Sequence, residues 1–223
     1  MIEAAIFDMD GLLIDSEPLW AVSEIEIFAT VDVMLSLADC RQTVGTSLEE
    51  VVALRYRQKP WKSPSQAEIS LGIHRRVVEL VRERGRALPG AVEAVAFARS
   101  QGVKVALATA SDPELVEAAL GVMGLQDAFD TVQSASSLPF GKPHPQVYLN
   151  AAKALGADPQ RSVAFEDTVV GLIAAKAARM ICVAVPDERN ASDPRYTIAD
   201  AQLSSLESLN QELWQHLTSQ IIG

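Results

Sequence analysis

The clearest pattern along the chain is a set of short, nearly continuous apolar runs. Ala4-Ala5-Ile6-Phe7 stops at Asp8. Similar runs occupy 103–108, 162–165 and 181–185, and 129–132 is a weaker fifth. Runs that are apolar at successive positions, rather than alternating, are expected of parallel strands covered on both faces. Helical patterns lie between them. One begins near Gly90 and ends before Gly102. Another begins at Asp112-Pro113-Glu114, where Asp can cap and Pro suits the first turn. A third follows Pro145 and ends before Gly156, and a fourth follows Asp167 with Val169, Val170, Ile173, Ala174 and Ala177. This alternation predicts an α/β fold, a doubly wound parallel sheet with a Rossmann-like core.

Residues 16–86 break the pattern. They hold no continuous β run, and their spacing predicts helices over about 17–29, 48–58 and 65–85. The stretch Lys59-Pro60-Trp61-Lys62-Ser63-Pro64-Ser65 reads as a loop, and Ser65 with Glu68 makes a capping box. The expected organisation is a core of residues 1–15 and 87–223, with an α-helical cap, 16–86, inserted after the first strand.

Composition narrows the function. With 19 Lys and Arg against 29 Asp and Glu, the formal net charge is −10 over 223 residues. A chain this acidic argues against nucleic acid or an anionic membrane as partner, while leaving room for a small local basic site. The hydrophobic fraction of 48% excludes a largely disordered chain. Cys40 and Cys182 lie far apart, without metal-ligand spacing, which fits a reducing compartment. The N-terminus has no basic region of a signal peptide, and no run approaches the roughly 18 apolar residues of a membrane span. A cytoplasmic monomer is expected.

The chemistry gathers at the strand ends. Asp8 and Asp10 follow the first run, with Gly11 next. Two acids two residues apart, at the carboxyl end of a strand, can bind Mg²⁺, or one can attack while the other moves a proton. They can also form a plain solvated turn. Thr109, Ala110 and Ser111 follow the second run, where hydroxyls and backbone N–H groups can hold phosphate or simply cap the next helix. Lys142 sits in Phe140-Gly141-Lys142-Pro143-His144-Pro145, a loop stiffened by proline. It can neutralise phosphate or face solvent; His144 reads as a helix-start residue. Glu166 and Asp167 close the fourth run and could complete a metal site facing Asp8, or Asp167 could cap the following helix. Together these are the parts of phosphoryl transfer through a carboxylate.

The set Asp8-Met9-Asp10-Gly11, Thr109, Lys142 and Glu166-Asp167 resembles the four motifs of the haloacid dehalogenase superfamily. Asp8-Met9-Asp10-Gly11-Leu12-Leu13-Ile14-Asp15-Ser16-Glu17-Pro18-Leu19-Trp20 and Gly141-Lys142-Pro143-His144-Pro145 carry the likeness most specifically. Within the superfamily the chain is similar to the β-phosphoglucomutase-like sugar phosphatases. The resemblance implies that Asp8 is a nucleophile forming an aspartyl-phosphate, and that Asp10 protonates the leaving alcohol and then activates water. It implies that Thr109 and Lys142 hold the phosphoryl group. It implies Mg²⁺ on Asp8, the Asp10 backbone carbonyl and Asp167, with Glu166 close by. The substrate would be a small phosphorylated sugar or sugar alcohol.

Two departures bear on a β-phosphoglucomutase, the isomerase alternative. Those members resemble a site with a cap-side His where this chain has Trp20. They also carry an Arg in the segment that here reads Gly45-Thr46-Ser47-Leu48. Ser47 and Leu48 supply no such cation, which favours a hydrolase. Trp20 is then a substrate contact or an apolar bridge between cap and core. Dehalogenases and phosphonate hydrolases of the superfamily resemble sites lacking the second acid. A receiver-type signalling domain would place its phosphoacceptor after the third strand, where this chain offers none, and a non-catalytic binding module would not need the full set of acids and lysine.

Overall fold

The computed structural model describes residues 1–43 and 46–221. The apolar runs become strands β1 (Ala4–Phe7), β2 (Lys104–Thr109), β4 (Ser162–Glu166) and β5 (Ile181–Ala184), joined by β3 (Thr131–Ser134) and β6 (Ala201–Gln202). They form one sheet in the order β3-β2-β1-β4-β5-β6, with every neighbouring pair parallel. The α/β, doubly wound expectation is thereby met. Side chains alternate across β1: Ala5 and Phe7 enter one apolar cluster, Ala4 and Ile6 the other. Both faces are covered, which explains why this strand has no polar side. Phe7 stacks on its register partner Phe165 with ring centroids 4.6 Å apart.

Helices α5 (Ala91–Ser100), α6 (Pro113–Met123) and α9 (Gln211–Ser219) cover the Phe7 face, and α7 (Gln146–Leu155) and α8 (Val169–Ala177) cover the Ile6 face. Between β1 and β2 come α1 (Glu17–Ala29), α2 (Leu37–Arg41), α3 (Leu48–Gln58) and α4 (Gln66–Arg84). Of these, α1, α3 and α4 share their own apolar cluster, including Phe28, Val51, Val52, Ile69 and Ile73. Ser65 and Glu68 form the expected capping box at α4. The far half of α4, through Val77, Val78 and Val81, joins the Phe7-face cluster. The chain leaves and re-enters the sheet domain side by side, with Asp15 N–H donating to the Arg86 carbonyl at 3.0 Å. Among the described residues no helix is long and apolar enough to cross a membrane.

Three readings shift. The weak fifth run becomes β3 two residues later, because Asp130 spends its carboxylate on the Val105 N–H at 2.7 Å rather than extending the strand. Helix α2, strand β6 and helix α9 were not expected; α2 and β6 are too short to show a period. Helix α8 is capped by Thr168, whose hydroxyl accepts from Gly171 N–H at 3.1 Å, and not by Asp167.

Candidate active site

Asp8 leaves β1 in the middle of the sheet, with β2 and β4 on either side. The register sets Phe7 beside Leu107 and Phe165, so the residues that follow these partners gather on one rim. Asp8, Thr109, Glu166 and Asp167 are all buried there. Lys142 reaches in from the loop before α7. Its ammonium donates to Asp8 Oδ1 at 2.7 Å, Glu166 Oε1 at 2.6 Å and the Ala108 carbonyl at 3.1 Å. Three protons thus meet three acceptors, which holds the lysine as a fixed cation. His144 serves the start of the next helix: its Nδ1 accepts from Gln146 N–H at 3.3 Å.

Glu166 is the most enclosed acid. Beyond Lys142 it accepts from the Tyr148 hydroxyl, and its other oxygen accepts from the Thr168 hydroxyl at 3.3 Å. The Lys142 ammonium also lies 5.1 Å from the centroid of the Tyr148 ring. Gly171 lies against this carboxylate so closely that an added Cβ would come within 1.9 Å of Oε1. Asp167 is different. Its Oδ1 is buried and has no hydrogen-bond partner among the described residues. A Cβ on Gly11 would come within 2.2 Å of its other oxygen, and Gly11 holds φ +77°, a conformation that favours glycine.

Asp8, Glu166 and Asp167 present carboxylate oxygens all within 4.8 Å of one another. Burial, only partly opposed by Lys142 and reinforced by Glu166, pushes Asp8 up to about 7. Burial pushes Asp167 well above the usual carboxylate range, with Asp8 and Glu166 adding to the effect. Crowded, desolvated oxygens and one orphaned carboxylate atom fit a hard divalent cation.

The Asp10 side chain stands outside that oxygen cluster. Its Oδ1 accepts from Ser16 Oγ and its Oδ2 from Ser111 Oγ, both at 2.6 Å. The Asp10 carboxylate is thus held by two serine hydroxyls, and the metal contact expected of this residue is through its backbone carbonyl. Ser111 N–H donates to Thr109 Oγ1 at 3.0 Å, and the Ser111 carbonyl accepts from Ser134 Oγ at 2.6 Å. Ala110 is exposed at the tip of this turn. Trp20 is half-buried and touches both the Phe7-face cluster and the helical cluster. Of the cap segment, Gly45 lies outside the described residues. Ser47 caps α3 in a box with Glu50, and Leu48 packs against the helical cluster, so neither offers a cation.

Sequence reasoning missed Tyr148, Thr168, Tyr196 and the use of Ser16. Tyr196 donates to the Asp167 carbonyl at 2.6 Å from far along the chain, and nothing local announces it. Ser16 occupies the N-cap position of α1 but makes no side-chain cap bond, because its hydroxyl goes to Asp10. A serine placed to cap and lying so near an acid motif was the available signal.

This arrangement, with acids ending two neighbouring strands and a lysine buried between them, is that of a hydrolase family whose profile matches residues 2–179: the chain belongs to the haloacid dehalogenase-like hydrolases. It is 47% identical over 209 residues to hexitol phosphatase B of Escherichia coli (strain K12), covering 93% of this chain and 94% of that one. The putative phosphatase YhcW of Bacillus subtilis (strain 168) is 34% identical over 236 residues, covering 99% and 100%. Among solved structures, CbbY from Rhodobacter sphaeroides in complex with xylulose-(1,5)bisphosphate superposes with a TM-score of 0.85 at 30% identity, covering 94% and 97%. The chain is an enzyme, and by family and relatives a phosphatase.

Proposed function

We propose that this enzyme hydrolyses small sugar or sugar-alcohol phosphates, with Mg²⁺ as cofactor and an aspartyl-phosphate at Asp8 as intermediate. The observation that carries the reading is the Lys142 clamp on Asp8 and Glu166 beside the unpartnered oxygen of Asp167. Asp8, Glu166 and Asp167 would hold the cation, which when bound offsets negative charge on the phosphoryl group. One Asp8 oxygen forms a bond to phosphorus as the bond from phosphorus to the sugar oxygen breaks, and Asp10 supplies the proton that the departing alcohol takes. Asp10 then removes a proton from water, the water oxygen bonds to phosphorus, and the bond to Asp8 breaks to release inorganic phosphate. Thr109, Ser111 and the N–H groups around Ala110 hold phosphoryl oxygens, and Lys142 keeps Asp8 aimed. Residues 16–86 act as a cap over the rim, leaving and rejoining the core near residues 15 and 86.

The substrate class follows from the hexitol phosphatase and the sugar bisphosphate complex of CbbY. The test is phosphate release from a panel of hexitol, hexose and three-carbon phosphates, with Mg²⁺ and after chelation. Release confined to the Mg²⁺ arm, and strongest for hexitol or hexose esters, is expected. Full turnover after exhaustive chelation would refute the cofactor. Glucose 6-phosphate forming from glucose 1-phosphate and a bisphosphate primer faster than free phosphate would make the enzyme a mutase.

A further inference from the structure

The helical cap buries two charges that the reaction described above does not use. Glu24 on α1 is 7% exposed and Arg55 on α3 is 2% exposed. Arg55 donates one Nη to the Asp39 carbonyl at 2.6 Å and the other to Gln58 Oε1 at 3.2 Å. Its Nε has no partner among the described residues, and neither has Glu24 Oε2. The two side chains feel one another electrostatically, yet among the described residues they do not close into an ion pair. Buried polar atoms without partners are rare and costly, so a donor and an acceptor left open together need an explanation.

Their position supplies one. Ser16 already has helical backbone angles, and its hydroxyl bonds Asp10. Trp20 lies one turn along α1, on the boundary between the cap and core clusters. Glu24 lies one turn further on the same stripe, about 12 Å along the axis from Ser16 at about 1.5 Å per residue. Long side chains on a helix lean back toward its N-terminus, which brings the carboxylate over the turn that holds Trp20. The Ser16 hydroxyl that bonds Asp10 and the Glu24 carboxylate are thus carried on the same helix, with the Trp20 turn between them. A hydroxyl both donates and accepts, matching an open carboxylate oxygen and an open guanidinium N–H.

We propose that Glu24 and Arg55 form the far end of the substrate site and take a hydroxyl of the sugar or sugar alcohol remote from its phosphate. This rests on the phosphatase reading. It places the missing cap cation on Arg55 rather than on Ser47 or Leu48, and it makes the site a selector of chain length and hydroxylation.

The test compares kcat/KM with Mg²⁺ for sorbitol 6-phosphate, its 1-deoxy analogue and acetyl phosphate. Wild-type enzyme needs no folding control and should lose about tenfold on the 1-deoxy analogue, mainly through KM, as expected for a hydrogen bond to a charged group. Glu24→Gln and Arg55→Lys should lose about as much on sorbitol 6-phosphate, bring the two esters close to parity and leave acetyl phosphate unchanged. Equal wild-type rates on the two esters would overturn the proposal. So would variants that fall equally on all three substrates, the result expected if the pair only holds a water or braces the cap. If wild-type enzyme releases phosphate from acetyl phosphate but from no sugar or sugar-alcohol ester, the phosphatase reading itself fails and this proposal fails with it.

Discussion

Gly171→Ala sets two physical rules against each other. Gly171 is the third residue of α8, and alanine is preferred to glycine inside a helix by about 1 kcal/mol. On propensity alone the substitution stabilises. The new Cβ, however, would lie 1.9 Å, 2.0 Å and 2.1 Å from Oε1, the carboxyl carbon and Oε2 of Glu166. Glu166 cannot swing aside freely, being fully buried and held by Lys142, Tyr148 and Thr168. Forcing extra volume into a site packed this tightly costs about 1–3 kcal/mol, so after the helix-propensity gain the net loss should reach up to about 2 kcal/mol. For a chain of this size that lowers Tm by up to about 8 °C. Displacing Glu166 also moves Lys142 and Asp8, so kcat should fall by about tenfold or more. Gly121→Ala is the matched control: it lies in α6, and its Cβ would meet only Gln126 Nε2 at 3.9 Å, so Tm should hold or rise. Thermal melts and steady-state assays of both variants decide it. A Gly171→Ala enzyme as stable and active as wild type would show that Glu166 is not pinned as described.

Two further outcomes follow from the same carboxylates. Because burial pushes Asp8 up to about 7 in the metal-free chain, cation binding must expel a proton below that pH, and affinity should fall about tenfold for each unit below about 7. Calorimetry in buffers of different ionisation enthalpy should find at least one proton released at acid pH, and an affinity flat across this range would contradict the burial argument. Asp10→Asn should keep the fold, since Ser16 and Ser111 can still bond an amide, while turnover drops about 10²–10⁴-fold. Undiminished turnover would remove Asp10 from proton transfer.

The parts of the site at strand ends were legible because each strand is a continuous apolar run that stops abruptly at a polar residue. Asp8, Thr109 and Glu166 could be set on one rim once the runs were read as parallel. What the runs could not show is which polar neighbour does what. Asp167 and Thr168 are both good helix caps, and only the structure shows that the threonine caps while the acid lies against Gly11. Tyr148 and Tyr196 act from a helix face and from a turn near β6, where nothing in the local pattern separates a site residue from a core aromatic. Glu24 and Arg55 carry no motif; their interest comes from burial without partners, which no linear pattern records.

Charge explains why these residues depend on one another. Asp8, Glu166 and Asp167 share a buried volume with, among the described residues, a single cation, Lys142, so when all three acids ionise two negative charges remain uncompensated. Inside a protein such an excess is opposed strongly, and the upward push on Asp8 and Asp167 is its direct expression. On the proposed function a phosphate ester brings further negative charge to the same rim. Thr109 and Ser111 are neutral, so they can offer hydrogen bonds to it but no compensating charge. Lys142 has no proton left to give, its three donors being spent on Asp8, Glu166 and Ala108. Among the described residues, this rim therefore supplies geometry and hydrogen bonds but lacks the positive charge that phosphate binding requires. A divalent cation at the open Asp167 oxygen matches that deficit in sign and in size.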